Sequence, residues 1–329
     1  MRKKLFICIL ILLLSGCNLP TASTGYSPIA VSQLLVTADP FATPTPTPFQ
    51  PLAQTQTVLA TSTPTPLPLP FEPGDLPKDQ VRILVLGSDY RPTSGFRTDI
   101  IIFLVINPTK GTVSAVSFPR DLYVEIPGYG VNRINTAFPH GFDVMANTLH
   151  YNFGIRPDYY IMTNFDGFRQ IVDSLGGIDV DTAKNLTDKC KLPIAVDGYC
   201  SLGPGVVHMN GDTALWYVRS RYSTSDLDRG RRAQEVLKAI FYRFMQLDAI
   251  KRLPELYGIY INSVETNLTL DVILPLAKIA PQLMNNDLAL RSYSIGANEV
   301  TPYKTEDGAQ VLLPNQAAIL EILRIAFTE

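Results

Sequence analysis

The sequence is poor in the residues that carry most metal and nucleophile chemistry, with three histidines and four cysteines in 329 residues. His140, His150 and His208 stand apart, with no partner at ligand spacing and no nucleophile motif beside them. That argues against histidine-built zinc sites and against Ser–His or Cys–His hydrolases. Ser117 lies in a β-rich stretch without the pattern that exposes a nucleophilic serine on a sharp turn. The unbroken apolar run Leu5–Leu14 has ten residues, and a membrane-crossing helix needs ~20. A surplus of basic charge is missing too: 28 Lys and Arg against 30 Asp and Glu leave a net charge of −2. Such a balance argues against a general nucleic-acid binder. No internal repeat is visible in the part expected to fold.

The few cysteines divide into distinct roles. Arg2, Lys3 and Lys4 precede the apolar run, and Leu14-Ser15-Gly16-Cys17 follows it. Basic start, short apolar core and small residues before a cleavage point make a secretory signal. The segment resembles a bacterial lipobox, which implies a removed signal peptide over residues 1–16 and a thioether-linked lipid on Cys17. Cys8 leaves with the signal. Cys190 and Cys200 remain, and a pair in an oxidising compartment reads as one disulfide. With only His208 nearby, the pair has too few ligands for a closed zinc site.

Residues 17–77 are a different material. Ala42-Thr43-Pro44-Thr45-Pro46-Thr47-Pro48 and Ser62-Thr63-Pro64-Thr65-Pro66-Leu67-Pro68-Leu69-Pro70 carry no charge and no sustained apolar period. Such a chain cannot offset its conformational entropy by burial and reads as a lipid-anchored, disordered, extended linker. Residues 78–329 are long enough for one large core. The expected arrangement is an extracytoplasmic domain held at the outer face of the cytoplasmic membrane and reaching into the cell wall.

Within that domain, Val81–Leu86, Ile100–Ile106, Thr112–Phe118 and the weaker Leu122–Ile126 read as strands. Tyr159–Met162, Ile178–Val180 and Leu288–Ser294 are also strand-like. Helical patterns occupy Phe142–Tyr151, Phe165–Leu175, a segment opening at Asp212, the Val236–Met245 region and Gln316–Phe327. Leu270–Leu283 is apolar nearly all round and reads as an ordinary core helix. Strands alternating with helices predict an α/β fold: an α/β/α sandwich with a central mixed sheet flanked by helices.

Short connections make the first three strands antiparallel neighbours. Asp89, Arg91, Arg97, Asp99, Arg120 and Asp121 then gather at one edge of the sheet. One or two carboxylates suffice to hold Mg²⁺ beside phosphate, and arginine is a planar two-point donor to phosphate. A second cluster holds Arg219, Arg221, Asp226, Arg229, Arg231 and Arg232. On charge and spacing alone, an anion site and a solvated salt-bridge surface both remain open.

Six motifs follow in order: Gly87-Ser88-Asp89-Tyr90-Arg91, Arg97-Thr98-Asp99, Ser117-Phe118-Pro119-Arg120-Asp121, Arg133-Ile134-Asn135, Tyr217-Val218-Arg219-Ser220-Arg221 and Asp226-Leu227-Asp228-Arg229-Gly230-Arg231-Arg232-Ala233-Gln234. Together, over about residues 81–245, they resemble the LytR–CpsA–Psr family of wall-polymer ligases. The resemblance implies a buried slot for a polyprenyl tail, and Leu270–Leu283 could line that slot instead of being an ordinary core helix. It also implies transfer of a glycopolymer from polyprenyl diphosphate onto a peptidoglycan acceptor, with polyprenyl phosphate released. Carried over by position, Asp89 and Asp99 are the Mg²⁺ carboxylates; the general base is left among the rim aspartates, with Asp99 the first choice, and Arg120 is the catalytic residue beside it. Arg120, Arg219, Arg221 and Arg229 are diphosphate ligands, with Arg91, Arg97, Arg133 and Asp226 beside them. The family usually has lysine at Arg133, and Ala233 replaces a frequent glutamine. A binding module without turnover and a diphosphate hydrolase are the alternatives to the ligase.

Overall fold

A computed structural model describes residues 77 to 328, apart from 78, 90–94, 222–225, 248–257, 259 and 261. The side chains of Asp226 and Asp287 also lie outside the description, as do the signal segment, Cys17, the linker and Arg91.

The chain opens with β1 (Val81–Ser88), β2 (Thr98–Asn107) and β3 (Thr112–Ser117). A hairpin of β4 (Tyr123–Ile126) and β5 (Gly130–Arg133) follows. Next come helix α1 (Phe142–Phe153), strand β6 (Tyr159–Thr163) and helix α2 (Phe165–Ser174). Strands β7 (Ile178–Thr182), β8 (Leu186–Lys189), β9 (Tyr199–Leu202) and β10 (Gly205–Met209) lead to helices α3 (Gly211–Arg219) and α4 (Asp226–Gln246). The last part holds β11 (Glu265–Thr266), α5 (Leu270–Ala277), α6 (Ala280–Met284), β12 (Leu290–Ser294), β13 (Val300–Lys304), β14 (Gln310–Pro314) and α7 (Gln316–Thr328).

The central sheet has six strands in the order β11-β6-β1-β2-β3-β12. β1, β2 and β3 are antiparallel neighbours, as their short connections predict. The turn between β2 and β3 is fixed by the Asn107 carboxamide, which accepts from the Thr109 and Lys110 amides at 3.1 and 2.9 Å. β6 pairs parallel to β1, and β12 parallel to β3, so the sheet is mixed. The C-terminal ends of β6, β1, β3 and β12 all lie at one end of the sheet, where open α/β sheets bind their ligands.

Alternation along β2 assigns the two faces. Ile101, Phe103 and Val105 enter the main core with Leu84, Leu86 and Val116, capped by Phe153, Leu323 and Phe327 from α1 and α7. Ile100, Ile102 and Leu104 face the other way, toward Ala233 and Leu237 of α4. A separate core joins β7 and Leu186 to α2, α3 and α4 through Val172, Ile178, Val180, Met209, Tyr217 and Val236.

Tyr123–Ile126 is a strand, as expected, and pairs in the β4–β5 hairpin outside the central sheet. One expectation needs correction. Leu270–Leu283 is no single core helix. It breaks between α5 and α6, with Pro275 inside the first and Pro281 in the first turn of the second. Proline removes a backbone donor and clashes with the preceding turn, which accounts for the break. No residue of α5 is buried.

Candidate active site

The rim is built at the end of the sheet where β1 finishes and β2 begins. Gly87 pairs with Ile100 but Ser88 pairs with Thr98, so Asp99 is the extra residue of a β-bulge. A bulge re-aims a side chain and is common beside active sites. The position leaves little room opposite, since a Cβ on Gly87 would lie 3.1 Å from the Ile100 Cβ. Asp89 is held just beyond the last pair: its Oδ1 accepts from the Arg97 amide at 2.8 Å, and its own amide donates to the Arg97 carbonyl at 3.1 Å. The Arg97 side chain is exposed.

From Asp99 a row of alternating charge runs outward. The Arg120 Nη1 donates to Asp99 Oδ1 at 2.7 Å, and its Nε donates to Asp121 Oδ2 at 3.3 Å. Asp121 Oδ1 is 3.3 Å from the Arg133 Nε. On the other side, Arg221 Nη2 is 4.0 Å from Asp99 Oδ2. Three guanidinium groups thus flank two carboxylates. All are partly exposed, at 20 to 44% for these side chains, so an anion can reach them.

The backbone under this row is strapped in place. Ile134 and Asn135 are buried, and their amides donate to the Leu122 and Arg120 carbonyls at 2.8 and 3.3 Å. The Arg133-Ile134-Asn135 motif therefore supports the Arg120 turn as well as supplying a cation. Arg133 also donates through Nη2 to the Gln310 carbonyl at 2.6 Å.

The second arginine cluster divides. Arg219, at the end of α3, lies over the Phe165 ring at 4.2 Å. Phe165 follows β6 at the same sheet end, because Thr163 pairs with Gly87. Arg221 is aimed by its backbone: its amide donates to Asp188 Oδ2 at 2.7 Å, and Asp188 is 2% exposed. Arg229 is buried and lines a small cavity of about 20 Å³ with Asp99, Arg120, Ser117 and Ser294. Arg231 instead holds Asp228 and Glu235 on its own helix. Arg232 is fully buried and donates to the carbonyls of Tyr217 and Ser220, the latter at 2.6 Å. Burial holds its pKa below the ordinary arginine value, an effect only partly countered by Asp228. Burial raises the Tyr217 phenol, and its hydrogen bond to Glu235 raises it further.

A second, largely apolar cavity of about 400 Å³ lies between the sheet and α4, floored by α5 and α6. The same strand faces line both cavities: Ile100 and Ile102 face the small one, then Leu104 and Ile106 the large one. Ser117 precedes Ala115 and Val113 in the same way on β3, and Ser294 precedes Ser292 and Leu290 on β12. α4 runs alongside, with Arg229 at the rim and Gln234, Leu237, Phe241 and Phe244 along the groove. Gln234 marks the junction, its Nε2 donating to Ser117 Oγ at 2.8 Å and to the Tyr293 carbonyl at 2.7 Å. Sequence reasoning missed the bulge, and it missed the roles of Asp188 and Gln234, which are set by partners far away in the chain.

Among the described residues no group of three or more His, Cys, Asp or Glu is placed to hold a metal. Asp89 and Asp99 remain as two carboxylates at one sheet end beside arginines, a donor set that fits Mg²⁺ completed by phosphate and water, not a closed protein cage. Among the described residues no helix is long and apolar enough to cross a membrane. Cys190 and Cys200 are disulfide-bonded, closing the end of the β8–β9 hairpin.

Comparison with known proteins agrees with this architecture. The polyisoprenyl-teichoic acid–peptidoglycan teichoic acid transferase TagU of Oceanobacillus iheyensis is 30% identical over 244 residues, 71% of this chain and 69% of that one. The crystal structure of Bacillus subtilis TagV superposes with a TM-score of 0.63 at 25% identity, covering 77% of this chain and 98% of that one. A structure of TagT bound to LIIa-WTA superposes with a TM-score of 0.58 at 25% identity, covering 79% and 94%. The LytR_cpsA_psr family pattern matches residues 53–326. With its six motifs in order around one sheet end and that match over most of its length, the chain belongs to the LytR_cpsA_psr family.

Proposed function

We propose that the chain is a phosphotransferase that moves a glycopolymer from a polyprenyl diphosphate to a peptidoglycan hydroxyl, releasing polyprenyl phosphate. The observation that carries this reading is the order of the two cavities, one after the other along the same strands and α4. The groove is lined mostly by apolar side chains, with Lys238 and Arg291 among them, and Arg229, Arg120 and Asp99 meet in the small cavity at the rim end of the same strands. A ligand that fits is apolar for most of its length and ends in a phosphate.

With the tail in the groove, the diphosphate reaches Arg120, Arg221 and Arg229, and Arg219, Arg97 and Arg133 add positive charge around the sugar-linked phosphate. The acceptor oxygen forms a bond to the sugar-linked phosphorus. The bond from that phosphorus to the bridging oxygen breaks, and its electron pair leaves with polyprenyl phosphate. Phosphoryl transfer of this kind needs positioning and charge neutralisation more than covalent help. Among the described residues Asp99 is the acidic residue lining the small cavity, which supports it as the group that takes the acceptor's proton. Asp89 and Asp99 would hold Mg²⁺, which when bound neutralises charge on the diphosphate oxygens. The same reading includes a lipid on Cys17 and a domain working at the outer face of the cytoplasmic membrane.

The test is a transfer assay with a polyprenyl-diphosphate sugar and a peptidoglycan fragment, with Mg²⁺ and with excess chelator. Product carrying a phosphodiester to peptidoglycan is expected with Mg²⁺ only. Release of free sugar phosphate into water, with no acceptor product, would assign hydrolysis instead.

A further inference from the structure

The apolar floor of the groove continues onto the surface. α5 carries Leu270, Val272, Ile273, Leu274 and Leu276 within eight residues, yet buries none of them. Ile273 and Leu276 face the groove. Leu270 and Leu274, four apart and so on one side of the helix, are 38 and 54% exposed, and Leu288 beyond α6 is 79% exposed. A contiguous exposed apolar face marks an interaction site more often than chance exposure does.

Topology places this face. β11 is antiparallel to β6, so it runs away from the rim, and β12 returns toward it, parallel to β3. The segment from Leu270 to Leu288 therefore joins the two edge strands at the sheet end opposite the rim. Gln282 of α6 confirms the location by donating to the Lys110 carbonyl in the β2–β3 turn at 3.3 Å. β1 begins at that same end, with Val81 opposite Ile106. The chain therefore enters the domain, at β1, at the sheet end where the exposed leucines lie.

We propose that this face seats the domain on the lipid bilayer that holds the donor, with Leu270, Leu274 and Leu288 entering the boundary between headgroups and acyl chains. The proposal rests on the reading that the groove takes an isoprenoid tail. A tail crossing water between leaflet and groove would expose its whole apolar surface. A groove mouth in contact with the leaflet avoids that exposure, as interfacial apolar helices do. The diphosphate is then lifted to the rim while the far end of the tail stays in contact with the membrane. The rim faces away, toward the wall.

The experiment uses the full lipidated chain in vesicles of anionic phospholipid, with Leu274→Trp introduced on a Trp216→Phe background. Brominated acyl chains should quench the introduced indole, whereas in the native chain Trp216, three residues from Arg219, should be unaffected. Absence of quenching overturns the proposal, and so does self-association that shields the introduced indole from the lipid. A Leu270→Asp, Leu274→Asp double variant provides a second reading. It should lose tenfold or more of its turnover on a vesicle-borne donor and stay within twofold of wild type on a short, water-soluble donor. Equal loss on both donors overturns the docking role. If the wild-type chain turns over neither donor, the ligase reading fails, and quenching alone decides the docking.

Discussion

Asp99 shows how much of the site depends on single positions. Its placement comes from one extra residue between Thr98 and Ile100, and its oxygens face Arg120 and Arg221. If it shares one ion with Asp89, the two carboxylates act as a unit. Asp89→Ala or Asp99→Ala should each remove most of the turnover, and the double variant should lose little more, because groups acting together are not additive. Losses that multiply in the double variant would show two independent roles. Arg120 tests the geometry of the cation. It spans Asp99 and Asp121 with two nitrogens, a fork that lysine cannot reproduce. Arg120→Lys should lower kcat by about 10²-fold, the scale seen when one donor to a developing oxyanion is lost, with stability changed by less than about 1 kcal/mol. These residues were legible in the sequence because the chain brings them close through short turns. Asp188, Ser117 and Gln234 were not, because their partners are separated by 33, 113 and 117 positions.

Among the elements, two act as braces for the arginines. The C-terminal end of α3 carries Arg219 and leads into Arg221, and it is held by Arg232 from α4 through the Tyr217 and Ser220 carbonyls. Arg232→Met keeps the volume but leaves those two buried carbonyls without their donor. Losing one side of so buried an arrangement should cost about 3 kcal/mol, read as a shift in the denaturant midpoint with an unchanged slope. The β8–β9 hairpin is the second brace. Asp188, which receives the Arg221 amide, sits opposite Cys200 in the hairpin register. The disulfide closes a span of ten residues, worth about 2–3 kcal/mol in chain entropy. A Cys190→Ser, Cys200→Ser variant should lose that stability and also raise the KM for the diphosphate donor, since Arg221 is aimed from the same hairpin. Loss of stability with an unchanged KM would make the disulfide a staple alone. Its existence followed from cysteine counting, whereas its neighbourhood to Arg221 required the fold.

For the molecule as a whole, the sheet and helix layers were readable because apolar period and turn residues change together along the chain. Asn107 to Gly111 separates two apolar strands, and Gly176 and Gly177 end a helix. What composition left open was the use of apolar surface. The stretch 270–283 has the composition of a core helix, and composition alone does not distinguish a helix packed on all sides from one that faces an open groove on one side. The groove nevertheless gives the domain its direction. α4 is about 30 Å long at 1.5 Å per residue; its first turn serves the rim, and its later turns line the groove from Gln234 to Met245. Binding of the tail and chemistry at the diphosphate are thus set on one rigid element but several turns apart. Phe241→Asp places a charge in the middle of the apolar lining, far from the reacting atoms. It should raise the KM for a long-tailed donor at least tenfold and leave kcat at saturation within about threefold, the pattern of an interaction used equally in ground and transition states. For a donor with a tail too short to reach Phe241, both constants should stay at wild-type values. A fall in kcat with either donor would mean that the groove does more than hold the tail, and that the alignment of Arg229 at the rim depends on how the far end of α4 is packed.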